Sequence, residues 1–239
     1  MSATTGSQRT AAELDVVLRR AGAILSTRDG RPVAINFGSA AAELSVCVRT
    51  VGLVDHSELS TLALEAPPAQ LSALMRRMAG DTVSPGGLVT SARALWCGET
   101  SSRVIVVCDP RTAERLTGGL RADAARHIGV RDLSSELTAI GLLGRNTALV
   151  LGALGVYGPS GDPRTVQPFS RGSVERHAAW WLLQSDRRAL ALVDRDLAGE
   201  AWLAIERAGR PYGISCVGQE AAERYTLMER LRPATLPFV

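Results

Sequence analysis

The sequence contains no lysine: all 27 of its basic residues are arginine. Chemistry that needs a side-chain primary amine, such as a Schiff base or a pyridoxal phosphate lysine, is therefore excluded. Its cysteines, Cys47, Cys97, Cys108 and Cys216, are scattered with no C-x-x-C spacing. Neither a zinc cluster nor a disulfide framework is indicated, no metal is expected, and buried free thiols are the plain reading. No apolar run approaches the roughly 18 to 20 residues that cross a bilayer, and Met1 to Thr10 lacks the apolar core of a signal peptide. The expected location is the cytoplasm, with no membrane partner. Charge of one sign is also scarce: the formal net charge is +3, and the arginines alternate with Asp and Glu instead of forming a stripe. The electrostatic footprint of nucleic-acid binding is missing, while a basic pocket for a small anion stays open.

What is present is a globular composition. With 239 residues and 46% hydrophobic side chains, the chain can bury one substantial core or two small fused units. Residues 1–10 read as a loose tail, and Leu14, Val17 and Leu18 fall at helical spacing within Thr10 to Ala21, with Gly22 as the stop. Ser57 to Leu64 reads as extended. Pro67-Pro68 then opens a helix carrying Leu71, Leu74, Met75 and Met78 at i, i+3, i+4, i+7, which Gly80 ends. Leu88 to Trp96 and Arg103 to Val107 read as strands joined through Gly98-Glu99-Thr100, and Asp109-Pro110 starts a helix with Ala113, Leu116 and Leu120 on one side. The second half repeats the order. A strand near Leu137 to Leu142 leads to a helix from Asn146, strands at Ala178 to Gln184 and Ala189 to Val193, a helix from Asp196, a strand near Ile214 and a helix from Gln219. Pro159 to Pro168 is the clearest interior loop, a pocket lid or a surface connection. The pattern predicts an α+β fold of two fused ferredoxin-like (split βαβ) halves.

The segment AINFGSAAAELSVCVRTVGLVDHSELSTLAL, with Phe37, Gly38, Glu43, Gly52, Leu53, Asp55 and Ser57, resembles the opening of the glycine-cleavage T-protein (aminomethyltransferase) folate-binding family. VRDLSSELTAIGLLGRNTALVLGALG resembles the segment that begins the family's second half; Gly144 matches, while Thr138 replaces an alanine and Arg145 a proline. Further matches run from Ser170 to Leu182 and from Leu197 to Glu229, the latter through Trp202, Ala208, Gly209, Gly213 and Gly218. The resemblance spans about Phe37 to Leu231 and implies an N-terminal tail and short helix over 1–34. A folate-binding-like domain over 35–239 follows, with halves near 35–128 and 129–231. It also implies a single-domain relative without the C-terminal barrel, comparable in size to the gamma subunit of heterotetrameric sarcosine oxidase.

In that family tetrahydrofolate occupies a central channel, one carboxylate handles the proton at the reacting nitrogen, and a later glutamate grips the pteridine. Both roles need an ionised acceptor facing an N–H donor. Here the first carboxylate falls on Ser101, Ser102 and Arg103, leaving Glu99, which as a turn residue is expected in solvent. The pteridine glutamate falls on His177, whose imidazole cannot accept from two N–H groups. Glu175, expected on the same side of an extended strand, is the substitute, or His177 acts as an acid or base on another substrate; a half-exposed structural histidine is the plainer alternative. Adjacent Trp180 and Trp181 must face opposite sides of a strand, one inward and one toward a surface or pocket. The family's arginine after the A-G-x-x-x-G turn is lost near Thr226, with Arg224 as a neighbour. The resemblance thus implies His177 and Glu175 as catalytic candidates, and Asp55, Leu59, Ser101, Ser102, Trp180, Trp181 and Arg224 as cofactor-binding candidates. Tetrahydrofolate is the implied cofactor, retained or lost.

Three functions follow from it. The first is a folate-fold enzyme repurposed for a one-carbon transfer or a cyclisation on a small molecule in specialised metabolism. The second is a non-catalytic subunit of a sarcosine-oxidase-like or demethylase complex, so that a homodimer or a partner subunit is expected. The third is an iron–sulfur-cluster-assembly relative. Its K-G-C-x-x-G-Q-E marker is only approached by SCVGQE, Ser215 to Glu220, which lacks the lysine and one spacer residue.

Overall fold

The structure, a computed structural model, describes residues 13–91, 94–122, 128–158 and 165–231. Residues 13–20 form helix α1, which Gly22 ends at φ 93°. A hairpin of β1 (Ile24–Arg28) and β2 (Arg31–Asn36) follows, then α2 (Ala40–Arg49), β3 (Val51–Asp55), β4 (Ser60–Glu65) and α3 (Pro68–Ala79). Next come β5 (Leu88–Ser91), β6 (Ala94–Thr100), β7 (Arg103–Cys108), α4 (Pro110–Ala122), β8 (Gly129–Asp132), β9 (Leu137–Leu143) and α5 (Thr147–Ala153). The chain closes with β10 (Phe169–Val174), β11 (His177–Ser185), β12 (Arg188–Asp194), α6 (Ala198–Gly209), β13 (Ile214–Val217) and α7 (Gln219–Leu231).

Two large sheets result: five strands in the order β5-β6-β7-β4-β8 and six in the order β10-β11-β12-β9-β3-β13. The first follows a βαββαβ course with β5 added at its edge. The second follows the same course with β10 at its edge and β3 wedged between β9 and β13. Both orders are compatible with the split βαβ halves expected.

Strand alternation explains the layers. On β7, Val104, Val106 and Cys108 face a core roofed by α3 and α4, whereas Ile105 and Val107 face the other sheet. On β12, Leu190 and Leu192 meet them across the gap, and Ala189, Ala191 and Val193 turn to the core that Leu14, Leu18 and Trp202 cover from α1 and α6. The remaining face of β3 and β13 packs Val54 and Val217 on Cys47 of α2 and Tyr225 of α7. Both faces of the central strands are thus largely apolar, which is why these segments read as nearly continuous hydrophobic runs.

Several elements depart from the sequence expectation. Leu88 to Trp96 is a hairpin, not one run: Ser91 pairs with Ala94 and Thr90 with Leu95. The β1–β2 hairpin turns at Asp29-Gly30, with φ of 48° and 80°, an Asp-Gly signal that the sequence carried. Helix α2, capped by the Ser39 hydroxyl accepting from the Ala42 N–H, is a further addition. Of the loop at Pro159 to Pro168, residues 159–164 lie outside the described residues, as does the tail over 1–10.

Many positions that carry the family resemblance are packing devices. A Cβ on Gly52 would stand 2.7 Å from the Val217 side chain and 2.8 Å from Cys47 Sγ, and one on Gly218 would run into the Ile35 backbone. Glu43, buried on α2, accepts from the Phe37 N–H at 2.7 Å with one oxygen and from the Gly218 N–H at 2.8 Å with the other. It ties the exit of β2 to the end of β13. Glu43→Ala strands both N–H groups, each costing about 1–3 kcal/mol. In urea titrations this variant should lose about 2–6 kcal/mol by a lower midpoint at unchanged slope, and Glu43→Gln should lose less.

Candidate functional site

The chain passes between the sheets at residues 56–59, from β3 to β4, and at 133–136, from β8 to β9. Leaving a sheet strips peptide groups of their ladder partners, and both crossings replace them in the same way. Each begins with an Asp-x-Ser turn in which the aspartate accepts the serine N–H: Asp55 from Ser57 at 2.9 Å, Asp132 from Ser134 at 2.8 Å. Each is then held by an arginine that donates to carbonyl oxygens. Arg31 reaches Ser57 O at 3.2 Å and Leu59 O at 2.8 Å, and Arg195 reaches Ser134 O at 2.9 Å and Leu137 O at 3.0 Å. The crossings are laced together: Thr61 N–H donates to Ser134 Oγ at 3.0 Å and Thr138 Oγ1 to Ser57 Oγ at 3.2 Å.

Between them lies a cavity of about 220 Å³ lined by both arginines, by Ser57, Ser134 and Thr138, by Asp15 of α1 and by Ala198 at the start of α6. The two turns differ in one respect. Asp132 is exposed, whereas Asp55 is 1% exposed, and its Oδ2 is buried with no hydrogen bond. Burial, the largest cause, together with the charge of Glu58, pushes the Asp55 carboxyl up to about 6, against the opposing hydrogen bonds from Ser57 and the pull of His56. The Ser57 hydroxyl donates to Asp55 Oδ1 and lines the cavity, so it connects the buried carboxyl to whatever occupies that space. Burial, reinforced by Arg31, lowers the Arg195 guanidinium, and Asp55 raises it; its Nε is buried without a hydrogen bond.

Behind Asp55, Gln219 Nε2 donates to the Asp55 carbonyl at 2.6 Å and to Glu58 Oε1 at 2.9 Å, and His56 Nδ1 lies 3.2 Å from Glu58 Oε1. The glutamine of SCVGQE is therefore a brace for the β3 crossing. No group of three or more His, Cys, Asp or Glu among the described residues is arranged to hold a metal.

The other residues singled out from the sequence lie elsewhere. Glu175 is not on an extended strand beside His177. Val174 pairs with His177, so Glu175 and Arg176 form the hairpin turn, with Glu175 at φ 51° and bound to Arg207 at 2.7 Å. His177, its side chain 10% exposed, bonds Glu200 of α6 at 3.0 Å. Trp181 is in the α6-side core and donates to Ser173 O at 3.4 Å; Trp180 packs toward the other sheet beneath the Arg171 guanidinium. Neither tryptophan forms a free wall. Ser101 and Ser102 sit in the exposed β6–β7 turn, where Thr100 Oγ1 accepts from the Ser102 N–H at 3.2 Å. Glu99 is not in solvent: it is 8% exposed and paired with Arg103 and Arg171. Arg224 is exposed on α7, and Leu59 contributes its carbonyl to the Arg31 clamp and its side chain to the core between the sheets. Of the expected set, only Asp55 and Leu59 thus belong to the crossings. Arg31, Arg195 and Ser134 were not anticipated, although the repeated D-x-S at 55–57 and 132–134 was visible.

Asp55→Asn tests the buried carboxyl. Because folding raises its pKa from 3.8 to about 6, the folded state binds the extra proton and stability falls as pH rises through that interval. The unfolding free energy of the wild type from urea titrations should drop by about 2 kcal/mol between pH 4 and pH 6, and the asparagine variant should lack that share of the change.

No protein-family model matches the sequence, and no curated protein sequence does. Solved structures do match. The glycine cleavage system aminomethyltransferase T from Bartonella henselae aligns over 92% of this chain at TM-score 0.69 and 14% identity; this chain spans 63% of that one. A chain of the heterotetrameric sarcosine oxidase from Corynebacterium sp. U-96 aligns over 75% of this chain and 95% of its own length, at TM-score 0.55 and 18% identity. No described helix is long and apolar enough to cross a membrane. At these identities the likeness is one of architecture: the chain carries the folate-binding T-protein fold in a divergent form.

Proposed function

We propose that the protein is a T-protein-like chain repurposed to act on a small molecule held between the two crossings, with Asp55 as the proton-handling group and Ser57 as its contact with the substrate. The carrying observation is the contrast between the paired turns. An exposed aspartate at 132 performs the turn's structural task, so the burial of Asp55 with an unpaired oxygen exceeds what the fold requires. Buried carboxyls with raised pKa values beside a cavity are a common form of general acid or base. A one-carbon transfer and a cyclisation both need a proton taken from a nitrogen or carbon nucleophile, and Ser57 can pass it to Asp55 along the hydrogen bond they share. Specialised metabolism in the cytoplasm is the setting this reading takes.

Tetrahydrofolate belongs to the ancestral activity in this proposal, not to the present one. The residues do not fit it. The position that would grip the pteridine is a histidine paired with Glu200, the position of the proton-handling carboxylate is an exposed serine turn, and Trp181 is buried in the core. The cavity, about 220 Å³, is below the roughly 300–1,000 Å³ of pockets that enclose drug-sized ligands.

A second reading, a non-catalytic subunit of a sarcosine-oxidase-like or demethylase complex or a homodimer, draws support from Leu227, Met228 and Leu231. They leave an apolar strip of α7 in solvent, 58%, 41% and 74% exposed.

A thermal-shift and native mass-spectrometry screen separates these. The enzyme reading expects no stabilisation by any tetrahydrofolate form, and a small-molecule ligand that binds at least tenfold more weakly to Asp55→Asn than to wild type. Folate binding abolished by His177→Ala would overturn it. A screen without ligands, together with a stable dimer or heteromeric complex, favours the subunit.

A further inference from the structure

The cavity's charges are segregated, which bears on what it takes. On one side, Arg31 at the start of β2 and Arg195 just after β12 line the cavity, each clamping a different crossing. Each spends one terminal nitrogen on backbone carbonyls: Arg31 uses Nη1 and Arg195 uses Nη2. A guanidinium has five N–H donors in a rigid fork, so donors remain on both. Arg195 Nε is one of them, buried and without a hydrogen bond. Burial is the main cause that lowers the Arg195 guanidinium, Arg31 adds its repulsion, and the Asp55 carboxyl opposes both, so an added anion between the two arginines would be favoured. Ser57, Ser134 and Thr138 line the same space with hydroxyl groups. On the α1 side stands Asp15, half-buried, its carboxyl raised by burial against the pull of Arg19 on the same helix.

Size narrows the class. About 220 Å³ corresponds to roughly seven waters at about 30 Å³ each, room for a molecule the size of an amino acid. Resting on the reading of the cavity as the substrate site, we propose that its substrate is a small zwitterion: an organic carboxylate held between Arg31 and Arg195, carrying a basic nitrogen that faces Asp15. A carboxylate matches the arginine fork in a way that a neutral ring does not. An ammonium at the other end replaces the solvent that Asp15 loses when the cavity fills. Either charge alone would leave the opposite wall of the cavity desolvated and unpaired, which is the basis of the selectivity.

Isothermal titration calorimetry of the full chain with matched probes tests this: glycine, L-proline and 4-aminobutanoate as zwitterions, propanoate and propylamine as their charged halves. At least one zwitterion should bind tenfold or more tightly than both halves. Asp15→Asn should reduce that zwitterion to the affinity of propanoate and leave propanoate unchanged. Arg195→Lys should weaken every carboxylate probe at least tenfold. Because Arg195 also holds a crossing, its variant is read only alongside an unchanged circular dichroism spectrum; the wild-type ratios and Asp15→Asn decide the matter if it fails to fold. Absence of binding by all the probes, tighter binding of propylamine than of any zwitterion, or a zwitterion-to-propanoate ratio unmoved by Asp15→Asn overturns the proposal. A neutral ligand dependent on Asp55 overturns the zwitterion class and leaves the role of Asp55 standing. Zwitterion binding untouched by Asp55→Asn does the reverse.

Discussion

Wherever a chain leaves one sheet to enter another, a short run of peptide groups loses its ladder partners, and at the heart of a protein water is not there to replace them. Between the two large sheets this happens twice among the described residues, side by side, and the polar cluster near the cavity follows from how it is met. An aspartate accepts the N–H two residues on, a guanidinium takes two carbonyls, and hydroxyl groups stitch one crossing to the other. A hydrophobic solution is not available, because apolar side chains cannot satisfy backbone donors and acceptors. The polar cluster is therefore demanded by topology before any chemistry is considered, and its cavity is the space that two bulky arginines and small serines leave between them.

From that shared plan the two crossings part. The second keeps its aspartate in solvent, where it costs little. The first buries Asp55 beneath Gln219, His56 and Glu58, with one oxygen unpaired, and burial pushes its carboxyl up to about 6. A group so placed is poor for stability and useful for moving protons, the trade often met at sites of function. The likeness to aminomethyltransferase T is one of fold, while the residues that the sequence resemblance singled out are occupied with pairing and packing: His177 with Glu200, Trp181 with the core, Ser102 with Thr100.

Much of the architecture was legible because its signals are local. Proline at the start of α3 with left-handed Gly80 at its end, the 3–4 spacing of Leu71, Leu74 and Met75, and the apolar runs of β9, β11 and β12 all report the structure they adopt. The hairpin turn at Glu175-Arg176 was hidden because neither residue is a usual turn former, and Glu175 adopts a positive φ that a glycine or asparagine would have announced. Glu99 misled for a related reason: one of its two arginine partners, Arg171, is seventy-two positions away in the sequence. The site was less legible than the fold. Asp55 stood in a recognisable motif, but Arg31 and Arg195 are unremarkable among 27 arginines until folding brings both to one cavity. Only the D-x-S repeat at 55–57 and 132–134 pointed to the paired crossings, and a repeat of three residues is short evidence without coordinates.

Hydrogen–deuterium exchange, compared with and without the best-binding small molecule, tests most directly whether function resides at these crossings. Added protection should concentrate at residues 55–59 and 133–138 and around Arg31 and Arg195, with the hairpin turn at 174–177 unchanged. Protection centred on that hairpin and the β6–β7 turn, with the crossings unaffected, would contradict it and move the site to the residues that the sequence resemblance singled out.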